Sequence, residues 1–186
     1  MKLTIIKIFI LSILSALAFL NTSCDDEDTS FDPIEQRKRD NTIIEEFLEE
    51  NNLTAQKTVS GIYYIVEKQG TGAFPLYGDT ITLHYTGMLI GSKVVKHEEN
   101  NIYGDIFATS VYSTEPVVVT VGQVYNTPFN LPLGWDEAIK TTKKGQKVTF
   151  FFPSELGYGS SGIRSVIPPY AVLVFDVEIL DIKPAF

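Results

Sequence analysis

Residue types that carry covalent or metal chemistry are scarce in this chain of 186 residues. There is one cysteine, Cys24, and there are two histidines, His84 and His97, with no ligand-like spacing between them. No disulfide, thiolate site or histidine-based metal site is therefore expected. No GxSxG elbow accompanies a plausible His and Asp, so serine-hydrolase chemistry has no support. What the chain offers is large aromatics in Gly-rich and Pro-rich settings. These are Tyr85 in LHYTGML (83–89), Phe107 in IFATS (106–110), Trp135 in LGWDEAI (133–139), Tyr158 in LGYGSSG (156–162) and Phe175 in SVIPPYAVLVFDVEILDI (165–182). Such side chains build either an apolar binding surface or a core, and alternating strand positions usually bury them.

The elements that must position these residues are mostly strands. Residues 61–66 (GIYYIV) and 79–89 (DTITLHYTGML) read as strands separated by a turn-rich QGTGAFPLYG. Residues 116–121, 146–153 and 171–182 read as three more. One short helix is predicted over 135–142, with Gly145 ending it as a C-cap residue. Trp135 and Ile139, four apart, both point toward the sheet. Before the strands, Asp32 and Pro33 start a helical stretch reaching Asn52. Ile34, Ile43, Ile44, Phe47 and Leu48 form its apolar stripe, with a break expected at Asp40, Asn41 and Thr42. This stretch packs on its own domain or serves dimerisation. Many strands with one central helix indicate an antiparallel α+β domain.

The order of these motifs resembles FKBP-type peptidyl-prolyl cis-trans isomerases over residues 58–186. The resemblance implies an FKBP-like antiparallel β-sheet wrapped around one short central α-helix, here with an N-terminal helical extension over 32–57. It implies Trp135 as the floor of a proline pocket, Tyr85 and Phe175 as its walls, Tyr158 as the hydroxyl that bonds a substrate carbonyl, and Phe107 as the match to the Phe of the family's Phe-Asp pair. Val166 and Ile167 would cover one side, Val117 would stand at a commonly aromatic position, and Leu131 and Pro132 would replace an aliphatic pair whose backbone bonds the ligand. Proline-containing polypeptides are the implied partners, macrolides a further class of ligand, and no cofactor is implied.

Two departures bear on activity. The family's pocket acid should follow Phe107, where this chain has Ala108, and Pro132 lacks the N–H of a backbone donor. The implied isomerase is therefore one of reduced efficiency. The alternative is an FKBP-like binding or chaperone lipoprotein that uses two long loops, 91–105 and 123–133. Tyr103, Tyr112, Tyr125 and Phe129 would be its contact surface.

The N-terminus speaks to location. Lys2 and Lys7 precede an uncharged apolar run over 8–20, short for a membrane span and laid out as a secretory signal over 1–23. Cys24 after Thr22 and Ser23 resembles the lipid-modified cysteine of bacterial lipoproteins, which would tether the protein to the outer membrane of the cell envelope without spanning it. Residues 24–31, with Asp25, Asp26, Glu27 and Asp28, form an acidic flexible tether. That acidic run resembles the one that marks surface-exported lipoproteins in Bacteroidetes-type bacteria. Cleavage removes two lysines and no acid, making the mature chain more acidic than the net charge of −8 of the full chain. Nucleic acid is a disfavoured partner, since phosphate binding relies on clustered Lys and Arg. The only cluster, Lys140, Lys143, Lys144 and Lys147, reads as a solvated helix end. The oligomeric state does not follow from any of these features.

Overall fold

The computed structural model describes residues 31–96, 101–113, 115–123 and 131–186, the side chains of 92–96 and 101–102 aside. The leader, Cys24 and the acidic run lie outside the described residues, as do Tyr125 and Phe129. Helix α1 spans Pro33–Glu50, with proline where its missing N–H costs nothing. It runs unbroken through Asp40, contrary to the expected interruption. Asp40 is fully buried and its carboxylate bonds outward to Ser154, so it does not compete for the helix backbone. The buried stripe is Asp40, Ile44, Phe47 and Leu48, at positions i, i+4, i+7 and i+8. Ile34 and Ile43 fall off that stripe and are exposed.

Seven antiparallel strands follow: β1 Gln56–Lys57, β2 Tyr63–Lys68, β3 Thr80–Lys96, β4 Asn101–Thr109, β5 Val117–Thr120, β6 Lys147–Phe152 and β7 Leu173–Lys183. Their order is β1-β2-β6-β7-β3-β4, with β5 also paired to β3. Of the stretch 91–105, expected as a long loop, residues 91–96 are the far end of β3 and 101–105 the first part of β4, while 97–100 lie outside the described residues. Helix α2 is shorter than predicted, Trp135–Ile139. The hydroxyls of Thr141 and Thr142 bond the carbonyls of Ala138 and Ile139 at 2.7 and 2.6 Å and close it off. Gly145 is not its C-cap. With φ +76° it sits in the turn where the Gln146 N–H donates to the Lys143 carbonyl, leading into β6. The lysine cluster is a helix end only in part: Lys140 is the exposed C-cap residue of α2, whereas Lys144 pairs with Asp181 and Lys147 is largely buried in the sheet.

Both faces of the sheet are covered, which is why β6 is buried without interruption over Val148–Phe152 rather than in alternation. Phe150 and Phe152 join Trp135, Ala138, Ile139 and Phe175 on the α2 face. Phe151 joins Ile44, Phe47, Tyr103 and Val174 on the α1 face. Tyr103, expected at a loop surface, is buried there against the rings of Phe47 and Phe151. Tyr112 is exposed.

On the strand next to Phe175, Asp176 is buried with Lys147 Nζ at 3.5 Å, and Lys147 also lies 3.9 Å from Glu67. Thr149 and Tyr103 donate to Glu67. Burial pushes the Asp176 carboxyl up to about 6; Lys147 opposes the shift, and Glu67 adds to it. Because this folded value lies above that of an unfolded aspartate, the contribution of Asp176 to stability is complete below about pH 4 and lost as pH rises through about 6. Asp176→Asn is expected to be more stable than the wild type by about 1 kcal/mol at pH 8, with the gain vanishing near pH 4. Urea denaturation at the two pH values checks this; a variant less stable at pH 8 would refute it.

Candidate active site

Phe175, near the start of β7, is the hub of the site. Its ring centroid lies 5.4 Å from Trp135, 5.7 Å from Phe107 and Phe152, and 5.8 Å from Tyr85. Most of these pairs are edge-to-face, the arrangement the ring quadrupole favours. Tyr85 and Trp135 close the triangle at 6.1 Å.

Two local features bring Phe107 into this cluster. The β3–β4 ladder pairs Gly87 with Ala108 and Met88 with Ile106, so Phe107 is an extra residue in a bulge. Gly87 then leaves room for it: a Cβ there would lie 2.7 Å from the Phe107 ring and 3.0 Å from that of Phe175. The glycine of the HYTG segment is thus a packing requirement of the site.

The rings of Tyr85, Phe107, Tyr158 and Phe175 border a cavity of about 180 Å³, the liquid volume of roughly six waters. Ala108, Leu131, Ile163 and Val166 complete its lining. Trp135 is not at the surface of this cavity. It lies behind Tyr85 and Phe175, 1 % exposed, as the layer on which both rings rest.

The rim comes from the two loops that flank α2 and follow β6. Tyr158 sits after a 3-10 turn over Ser154–Leu156. The Gly159 N–H donates to the Ser154 carbonyl at 2.8 Å, and the Gly162 N–H to that of Tyr158 at 3.1 Å. Burial, with the neighbouring Tyr85 second, holds the Tyr158 hydroxyl far above its ordinary value. Burial alone raises Tyr85. Tyr158 is therefore a neutral phenol at any physiological pH, able to donate a hydrogen bond into an apolar space.

Three residues implied for substrate contact lie elsewhere. Val117 is buried opposite Leu83 in the β3–β5 ladder. Ile167 turns into the core, because Ile163 and Ile167 exchange backbone bonds of 2.8 Å in a tight loop that leaves Val166 facing the cavity. Pro132 is buried, and its carbonyl accepts from the Trp135 N–H at 3.0 Å at the entry to α2. Ile163 was missed, since nothing in GSSGIRSVIPP sets it apart from Val166 and Ile167. The one available signal was Gly162, with φ +56° and a Cβ position only 2.2 Å from the Ile167 carbonyl, a mark of a close backbone crossing. Among the described residues no carboxylate lines the cavity: Ala108 occupies that wall, and Asp105 is exposed opposite Leu89.

Residues 72–180 match the family model of FKBP-type peptidyl-prolyl cis-trans isomerases. The chain is 38% identical over 127 residues to a probable FKBP-type peptidyl-prolyl cis-trans isomerase of Haemophilus influenzae, covering 68% of this chain and 45% of that protein. It is 40% identical over 157 residues to FkpA of Aeromonas hydrophila, covering 83% of this chain and 50% of the relative. Among solved structures it is similar to FkpA from Escherichia coli, with a TM-score of 0.61 and 31% identity over 82% of this chain and 62% of that one. A peptidyl-prolyl cis-trans isomerase from Pseudomonas syringae shares the fold at TM-score 0.58 and 22% identity, over 83% of this chain and 98% of that one. The chain spans about half the length of the curated relatives it matches.

Proposed function

Because the chain belongs to the FKBP-type peptidyl-prolyl cis-trans isomerase family, we propose that it accelerates rotation about X-Pro bonds, acting on exported polypeptides at the bacterial cell envelope. The observation that carries this reading is the convergence of four aromatic rings on an open, uncharged cavity with a neutral phenol at its edge. Rotation is slow because amide resonance must be broken, a barrier of about 18–20 kcal/mol. A catalyst needs only to bind the twisted amide better than the planar one. Twisting removes the charge separation of the planar amide, so an apolar cavity favours the twisted state more than water does. In this reading the prolyl ring lies among Tyr85, Phe107 and Phe175, and the Tyr158 hydroxyl donates to a substrate carbonyl. No bond is formed or cut.

A protease-coupled assay on a proline peptide tests the proposal, and no acceleration at micromolar protein would defeat it. Tyr158→Phe is expected to lower kcat/KM about three- to tenfold, the worth of one net hydrogen bond. An unchanged kcat/KM would remove the hydroxyl from the mechanism. Ala108 and Pro132 favour a second reading, a binding module that holds proline segments with little turnover. The Lys2 and Lys7 leader and Cys24 support attachment to the outer membrane through a lipidated cysteine.

A further inference from the structure

We propose that Asp40, in the N-terminal helix, is a positioning residue for the cavity, an inference that rests on the isomerase reading of that cavity. Its carboxylate is fully buried. Oδ2 accepts from the Ser154 backbone N–H at 2.8 Å and from the Ser154 hydroxyl at 2.6 Å, and Oδ1 accepts from Gln36 Nε2 at 2.8 Å. An aspartate at this point of an otherwise apolar stripe is costly unless its lone pairs are satisfied. Docking of α1 would be served better by an aliphatic side chain. What the carboxylate adds is a cap for a turn 114 residues away in sequence.

That turn is the hinge of the site's rim. The Ser154 carbonyl accepts from the N–H groups of Gly157 and Gly159, which flank Tyr158. The Leu156 carbonyl accepts from the Gly134 N–H at 2.7 Å and the Gly157 carbonyl from the Leu133 N–H at 3.1 Å, so the same corner fixes the start of α2 and with it Trp135. One buried carboxylate therefore anchors both the phenol at the rim and the indole beneath the walls. The exposed Arg37–Glu155 pair joins the same elements, but ion pairs of that kind contribute little.

The test compares Asp40→Ala, Asp40→Asn, Ser154→Ala and Arg37→Ala in the purified protein, reading kcat/KM on a proline peptide and the emission of Trp135, the only tryptophan. Asparagine keeps an acceptor for both Ser154 donors and can offer its amide to Gln36, so Asp40→Asn should stay within about twofold of wild type. Asp40→Ala should lose about tenfold, as misplacement of a distant support does, with a shifted Trp135 emission; Ser154→Ala should shift both less, in the same direction. Arg37→Ala should change neither. Wild-type kcat/KM and emission in Asp40→Ala and Ser154→Ala, with only stability lowered, would overturn the inference. Should Asp40→Ala fail to fold, Ser154→Ala decides. Should the wild type lack isomerase activity, the functional reading fails by itself, and Trp135 emission with amide exchange at Gly157 and Gly159 still decides whether Asp40 sets the rim.

Discussion

Phe175→Ala is expected to lower the unfolding free energy by about 3–5 kcal/mol and to remove measurable isomerisation. The ring is 1 % exposed and touches four other aromatic rings at 5.4–5.8 Å. Its loss opens a hole that rigid β-sheet backbone on either side cannot close, so the transfer and cavity costs add. The same hole lies directly behind the cavity wall. Phe107 loses its edge-to-face partner and Tyr85 one of its two supports, so the surface presented to a prolyl ring no longer holds its shape. Phe175→Leu separates the two effects. It restores most of the volume and should recover most of the stability, while kcat/KM stays low because the flat aromatic wall is gone. Urea denaturation and the peptide assay check both variants; Phe175→Leu with full activity would show that the ring serves packing only.

Ala108→Asp is expected to raise kcat/KM about tenfold. Ala108 lines the open cavity itself, so a longer side chain there extends into the cavity and not into packed core. The position is half-buried, so a carboxylate there keeps some hydration and does not bear the full cost of an interior charge. Tyr85 and Tyr158, both hydroxyl-bearing, line the same cavity. A charge-assisted hydrogen bond is worth about 1.5–3 kcal/mol, which sets the scale of the gain if it orders the hydroxyls that meet substrate. No change in kcat/KM, with peptide affinity retained, would favour the binding module over the isomerase.

Much of the fold was legible in the sequence because the β-rich segments bounded by Gly and Pro mark the strands, and period-two alternation matches burial over Thr80–Leu83 of β3 and Val177–Leu180 of β7. The GW and VFDVEI segments each sit where their motif implied. The far end of β3 and the start of β4 were not legible: the sequence around them, GSKVVKHEENNIYGD, mixes Gly, Asn and charge, and the burial of Tyr103 against α1 follows from tertiary pairing that no local alternation announces. Asp40 misled for a related reason. A helix-breaking residue type in mid-helix is neutralised by a partner 114 positions later, which no local pattern reveals. Within the site, the aromatics were legible as a group only through their order along the chain, since core and pocket wall use the same residue types. Which of Val166 and Ile167 faces the cavity depended on the backbone crossing at Ile163, and that crossing is a tertiary fact.

The central claim is that the cavity turns over X-Pro bonds, and exchange spectroscopy on an isotopically labelled proline peptide tests it most directly. With a substoichiometric amount of protein, cross peaks between the cis and trans forms should appear at mixing times of about a second, where uncatalysed exchange takes tens of seconds. They should vanish in Phe175→Ala. Peptide binding that shifts the resonances of Tyr85 and Tyr158 without any cis-trans cross peaks would contradict the claim.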